Sequence, residues 1–111
     1  MAVLYRINAD GSQAQSWDLD EKPVVFGRGK TVDAQIRDRA LSRSHFLVVR
    51  EGAGFFVVDL GSRNGTWVNG KRVSAQKLHP ADIIKAGDTV FCFAEASPFA
   101  HDNPAAKRAG S

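Results

Sequence analysis

Short runs of β-branched and aromatic residues alternate with clusters of turn residues along the whole chain. The runs are Val3 to Ile7, Val24 to Phe26, His45 to Arg50, Phe55 to Leu60, Thr66 to Val68 and Thr89 to Ala94. Between them stand Asp10-Gly11-Ser12, Gly27-Arg28-Gly29, Glu51-Gly52-Ala53-Gly54, Gly61-Ser62-Arg63-Asn64-Gly65, Asn69-Gly70 and Ala86-Gly87-Asp88. No window carries an apolar stripe at helical spacing over three turns. Many short strands with frequent turn signals predict an all-β sandwich or barrel. Two hairpins are marked. Phe46 to Arg50 and Phe55 to Asp59 flank a glycine-containing loop, and Thr66-Trp67-Val68 and Lys71-Arg72-Val73 flank Asn69-Gly70. Asn-Gly is a strong two-residue hairpin signal because both positions need positive φ. Leu47-Val48-Val49 and Phe55-Phe56-Val57-Val58 are nearly continuous apolar runs, which predicts central strands with little water on either face.

The pattern stops near Pro98. The segment 98–111 is poor in β-branched residues and holds Pro, Asn and Gly, so it reads as a flexible tail or linker after a domain over 1–97. A chain of 111 residues is one domain in size, and a domain of this size buries a core without metals or disulfides. The lone Cys92 sits in the apolar run Thr89 to Ala94 and reads as a small buried hydrophobe with no activating neighbour. Trp17 and Trp67 read as core or strand packing. His79 and His101 read as surface residues. No apolar stretch has membrane-spanning length. Residues Met1 to Ile7 lack the layout of a secretory signal, so the expected location is cytoplasmic. The net charge of +3 is a mild excess that favours some anionic ligand over nucleic acid.

Polar residues gather in three connecting segments, where a rigid β scaffold usually carries its binding groups. They are Gly27-Arg28-Gly29-Lys30-Thr31, Leu41-Ser42-Arg43-Ser44-His45 and Gly61-Ser62-Arg63-Asn64-Gly65-Thr66. Together they supply guanidinium forks, hydroxyls and an amide, which are the groups that hold a phosphate. Catalytic readings find no support. Gly29-Lys30-Thr31 ends like a phosphate-binding P-loop, but the glycine required five residues earlier is Val24 and no helix pattern follows. There is no Gly-x-Ser-x-Gly elbow and no set of His, Cys and carboxylates at metal-ligand spacing. Nor is there a basic stripe interleaved with aromatics for nucleic acid.

The ordered set Gly27-Arg28, Ser42-Arg43-Ser44-His45 and Asn64-Gly65-Thr66-Trp67-Val68-Asn69-Gly70 resembles the forkhead-associated (FHA) domain family over roughly residues 3–95. The resemblance implies an eleven-stranded β-sandwich whose loops at one end grip a phosphothreonine peptide, with no catalytic residue and no cofactor. It matches Arg28 to a phosphate-pairing arginine and Ser42 to a serine that donates to a phosphate oxygen. Arg43 falls where a polar or basic phosphate contact is common, and Asn64 where an asparagine bonds the peptide backbone. Ser62 and Arg63 are further candidate contacts, Ser62 being equally able to cap its turn. Lys30 reads as a solvated loop lysine. His45 matches a structural histidine tying the loops together, Gly27 and Gly65 shape turns, and Asn69 joins them as support through its hairpin. The implied partner is a phosphothreonine protein or peptide made by an upstream Ser/Thr kinase. Arg37, Arg39 and Arg63 hint at an acidic flank on that peptide. Neither nucleic acid nor membrane is an expected partner, and a monomer is expected. The alternative reading is a phosphate-independent FHA-like scaffold or dimerisation domain, against which the joint presence of Arg28, Ser42 and Asn64 argues.

Overall fold

The computed structural model describes residues 2–95. The expected tail 98–111 and His101 lie outside the described residues. Eleven strands form two sheets: β1 (Ala2–Ile7), β2 (Gln13–Leu19), β3 (Val24–Gly27), β4 (Ala34–Gln35), β5 (Phe46–Glu51), β6 (Gly54–Asp59), β7 (Thr66–Val68), β8 (Lys71–Val73), β9 (Ala75–Lys77), β10 (Ile83–Ala86) and β11 (Thr89–Glu95). One sheet has the order β2-β1-β11-β10-β7-β8 and the other β4-β3-β5-β6-β9. The β3–β4 pair is parallel, through Phe26↔Ala34 and Gly27↔Gln35. The turn spacing left sandwich and barrel open; the observed architecture is the eleven-stranded sandwich that the family resemblance implied.

Alternation along each strand builds the core. Leu4, Phe26, Phe46, Val57, Ile84, Phe91 and Phe93 are each 0% exposed. Phe26 stacks on Phe46 with ring centroids 4.8 Å apart. Phe91, from the opposite sheet, meets both edgewise at 5.6 and 5.4 Å. Trp17 of β2 closes the cluster with an edge contact to Phe26 at 5.1 Å, as a packing residue should. These aromatic contacts join β2, β3, β5 and β11, so the two sheets are locked where β3 and β5 lead into the polar loops.

The hairpin signals hold. Glu51 pairs with Gly54 across the first turn, and Asn69 and Gly70 take φ of 50° and 84° in the second. Four strands left no pattern in the sequence: β2, β4, β9 and β10. β2 begins Gln-Ala-Gln-Ser and is exposed over that stretch, because it is an edge strand with only β1 beside it. Three expectations are corrected. The outward residues Leu47, Val49, Phe56 and Val58 of β5 and β6 are half-buried, so those strands are dry on their inner face alone. Cys92 is likewise half-buried on the outer face of its sheet, where burial first, and Asp82 second, push its thiol up from the usual value. Trp67 is 36% exposed and points away from the core. His79 is exposed, as expected, beside Asp82.

The aromatic cluster sets the stability. Phe91→Ala removes the ring that bridges the sheets and should cost about 3–5 kcal/mol, read as a lower urea midpoint at unchanged slope. A loss below about 1 kcal/mol would mean that the cluster does not hold the sheets together.

Candidate functional site

The segment 28–33 after β3 is laid along the segment 36–45 before β5 by backbone bonds. Arg28 N–H donates to Ser42 O and Gly29 N–H to Arg43 O, each at 3.1 Å. This edge-on approach leaves no room for a side chain at Gly27, where a Cβ would overlap the Arg43 carbonyl oxygen and lie 2.7 Å from its carbon. The glycine before Arg28 is therefore required by the fit of two loops. Arg28 Nε donates to Leu41 O at 2.7 Å, which fixes the plane of the exposed guanidinium. Its two terminal nitrogens have no protein acceptor among the described residues and remain available as a fork.

Ser42 is half-buried. Its Oγ accepts from the Arg63 N–H at 3.0 Å, so its acceptor side is used and its hydroxyl proton is left to donate outward. His45 stands behind it at 0% exposure. Nδ1 accepts from Ser42 N–H at 3.0 Å, and Nε2 lies 2.8 Å from Gly65 O. An accepting Nδ1 requires the proton on Nε2, so the ring is the neutral Nε2–H tautomer donating to Gly65. One side chain thereby joins the loop before β5 to the loop before β7.

The second loop is folded around Asp59 at the end of β6. Asp59 accepts from the Ser62 hydroxyl at 2.5 Å, the Thr66 hydroxyl at 2.7 Å, and the Gly61 and Ser62 N–H groups at 3.0 Å each. Ser62 Oγ in turn accepts from Gly65 N–H at 3.0 Å. The single hydroxyl proton of Ser62 is thus committed inward. Of its two readings the structure favours the turn cap, and Ser62 is not free to donate to a phosphate. Asp38 does the equivalent work in the loop before β5. It accepts from Ala40 N–H at 2.8 Å, Asp88 N–H at 2.8 Å and the Thr89 hydroxyl at 2.7 Å, tying that loop to the turn between β10 and β11. Burial raises both carboxyls, but the hydroxyl and N–H donors outweigh it and hold each below the usual value.

Asn64 Nδ2 donates to Ala40 O at 2.7 Å, a further clasp between the two loops. Its exposed amide oxygen has no protein donor among the described residues and can accept from a ligand backbone. Arg28 and Arg43 line one depression of about 430 Å³, together with Lys30, Thr31 and Gln35. Lys30, expected to be only a solvated lysine, thus belongs to this wall. Ser42, Arg63 and Asn64 are brought alongside by the bonds above and do not share that lining. The side chain of Arg63 is exposed, as are Arg37 and Arg39 farther along the loop before β5. Asn69 acts through its hairpin. Its amide bonds Asp82 and the Ile83 N–H at 2.9 Å each, so it fastens the β7–β8 hairpin to β10 and makes no bond to the polar loops among the described residues. Asp38, Asp59 and Gln35 were not singled out in the sequence. Asp59 alone left a signal, the spacing of its carboxylate to Ser62 in a Gly-containing turn.

The FHA domain family model matches residues 24–87, more than half of the chain. The FHA domain-containing protein FhaA of Mycobacterium tuberculosis is 30% identical over 81 residues, covering 73% of this chain and 15% of that protein. A structure from a study of phosphothreonine-dependent FHA domain interactions superposes with a TM-score of 0.78 at 26% identity, over 86% of this chain and 97% of that one. The FhaA FHA domain in complex with the intracellular domain of Rv3910 superposes with a TM-score of 0.75 at 27% identity, over 84% of this chain and 99% of that one. The chain spans between 9% and 54% of the lengths of the first curated relatives that it matches.

Two outcomes test this loop architecture. Asp59→Asn removes a charged acceptor from four donors and should lower stability at pH 7 by about 1–3 kcal/mol. A carboxyl held low in the folded state stabilises fully above its unfolded value of about 3.9 and loses that contribution as pH falls through its folded value. The gap between wild type and Asp59→Asn in urea unfolding should therefore be widest at pH 7 and narrow toward pH 3. An equal gap at both would show that the charge is not what holds the loop. His45→Ala leaves two backbone groups without partners and should cost roughly 1–3 kcal/mol for each. Amide NMR should show the changes concentrated at Ser42 and Gly65.

Proposed function

The chain belongs to the FHA domain family, and from that premise we propose that it is a phosphothreonine-dependent protein–protein interaction module. One observation carries the reading. Arg28 and Ser42 each have one side of the functional group bonded to the protein, and the remaining donors are left for an outside acceptor. Donors arranged in this way are preorganised, so little ordering is needed when a ligand arrives.

A phosphothreonine carries about −1.5 to −2 charges and three acceptor oxygens. In our reading Arg28 supplies a fork to two of those oxygens, Ser42 a hydroxyl to a third, and Arg43 and Lys30 the surrounding positive field. Asn64 accepts from and donates to the peptide backbone beside the phosphate, which sets register more than strength. Arg63 lies over the same loop and meets the flank of the peptide. Charge-assisted bonds contribute roughly 1.5–3 kcal/mol each, part of which is spent on desolvating the dianion. The expected affinity is micromolar, about −8 kcal/mol. A preference for phosphothreonine over phosphoserine follows if the γ-methyl is buried, at about 0.8 kcal/mol. The partner is a protein phosphorylated by a Ser/Thr kinase, and the chain binds it as a monomer.

The test is a titration of the isotope-labelled chain with oriented phosphothreonine, phosphoserine and unphosphorylated peptide pools. Amide shifts confined to the segments around Arg28, Ser42-Arg43 and Arg63-Asn64, and seen only with phosphothreonine, support the reading. Arg28→Ala should weaken binding by at least about tenfold with an unchanged fold. Normal binding by that variant, or equal binding of unphosphorylated peptides, would sink it.

A further inference from the structure

The outer face of the six-stranded sheet carries a second groove, of about 530 Å³, whose lining includes Asn64, Trp67, Ile83, Lys85 and Val90. Strand register sets three of its residues, Trp67, Lys85 and Val90, in a row that Arg72 continues beyond the groove's lining. Arg72 lies opposite Trp67 on β8, Lys85 opposite Trp67 on β10, and Val90 opposite Lys85 on β11. The four side chains therefore form one row across the sheet, with an aromatic between two cations. Trp67, in the row, is 36% exposed, and Ile83, two residues before Lys85 on β10, is 37% exposed, so apolar surface stands in water within and beside this row. Arg72 and Lys85 are exposed and form no ion pair among the described residues.

The groove is continuous with the loops of the proposed phosphothreonine site. Asn64 belongs to both. Trp67 Nε1 donates to Asn64 O at 3.3 Å. The Arg72 side chain lies against Gly65, with Nε 2.6 Å from where a Cβ would stand. Asn64 therefore stands where the loops meet the edge of this groove. The row covers three strand spacings, about 14 Å, which is the reach of about four extended residues.

We propose that this groove is an extension site, reading a segment of the same phosphorylated partner that lies beyond the residues at the phosphate. The segment is apolar and acidic: an aliphatic or aromatic side chain covers Trp67 and Ile83, and carboxylates face Arg72 and Lys85. A second copy of the chain fits less well, because a twofold contact through this face sets its cation row against itself. The inference rests on the phosphothreonine reading and adds to it a surface on the strands, separate from the loops.

Calorimetry on the whole chain tests it. One probe is a phosphothreonine peptide with alanine flanks. The others are the same peptide extended by Glu-Leu-Phe-Glu at its N-terminal or its C-terminal end. One extension should tighten binding by roughly tenfold. Ile83→Ser and Lys85→Glu, neither of which touches the phosphate loops, should each remove most of that gain and leave the affinity for the alanine-flanked peptide unchanged. Arg28→Ala should weaken both. Extended peptides that bind no tighter than the parent, or a gain that survives both substitutions, overturn the extension site while leaving the phosphothreonine reading intact. Sedimentation showing a dimer that Ile83→Ser dissociates overturns it in favour of a self-interface. No binding of any phosphopeptide by the wild type overturns both readings.

Discussion

The polar loops are brought together around one buried imidazole. His45 uses all of its hydrogen-bonding groups on other parts of the chain. Its N–H goes to Phe26 O, its carbonyl receives Leu60 N–H, Nδ1 receives Ser42 N–H and Nε2 reaches Gly65 O. Four segments are therefore positioned against a single residue that has no exposed surface. The next residue, Phe46, stacks on Phe26 in the core. The loops are in this way anchored to the aromatic cluster and not merely to each other. A buried polar group is costly unless every partner is present, so the histidine tolerates little variation in how the loops sit.

Charge is distributed by a simple division. The acids in and beside the loops, Asp33, Asp38 and Asp59, accept from hydroxyl and N–H donors. None of those bonds uses an arginine. The cations Arg28, Lys30 and Arg43 are accordingly not neutralised by an internal carboxylate among the described residues. Had Asp59 paired with Arg28 instead, the turn would lose its acceptor and the guanidinium its free donors. The loops are held by neutral donors on carboxylates, and the cations face outward without an internal partner among the described residues.

The strands also set an outward row of side chains. Because side chains alternate across a sheet, a strand that feeds the core at Thr66 and Val68 must present Trp67 outward. The same rule brings Lys85 and Val90 beside it. A row of this kind is a consequence of register, and a shift by one residue would bury the tryptophan and expose the core. The register is fixed at one end by Asn69, whose left-handed backbone closes the hairpin and whose amide clips it to β10.

The sequence by itself determined the fold class, the two hairpins and the order of the polar loops. Turn residues and β-branched runs are local signals that act through backbone preference. It also pointed to Arg28, Ser42, Arg43 and Asn64, because a motif keeps residue types at fixed spacings. It was silent on β2, β4, β9 and β10, which are short or polar and are strands only because a neighbour pairs with them. The roles of Ser62, Cys92 and Trp67, and the clip from the Asn69 amide to β10, were decided by the tertiary structure. A serine that has one proton to give points wherever the nearest carboxylate stands, and Asp59 is placed there by the packing of β6. Whether an aromatic faces the core or water depends on strand register, which no stretch of Thr-Trp-Val can specify without its partners across the sheet.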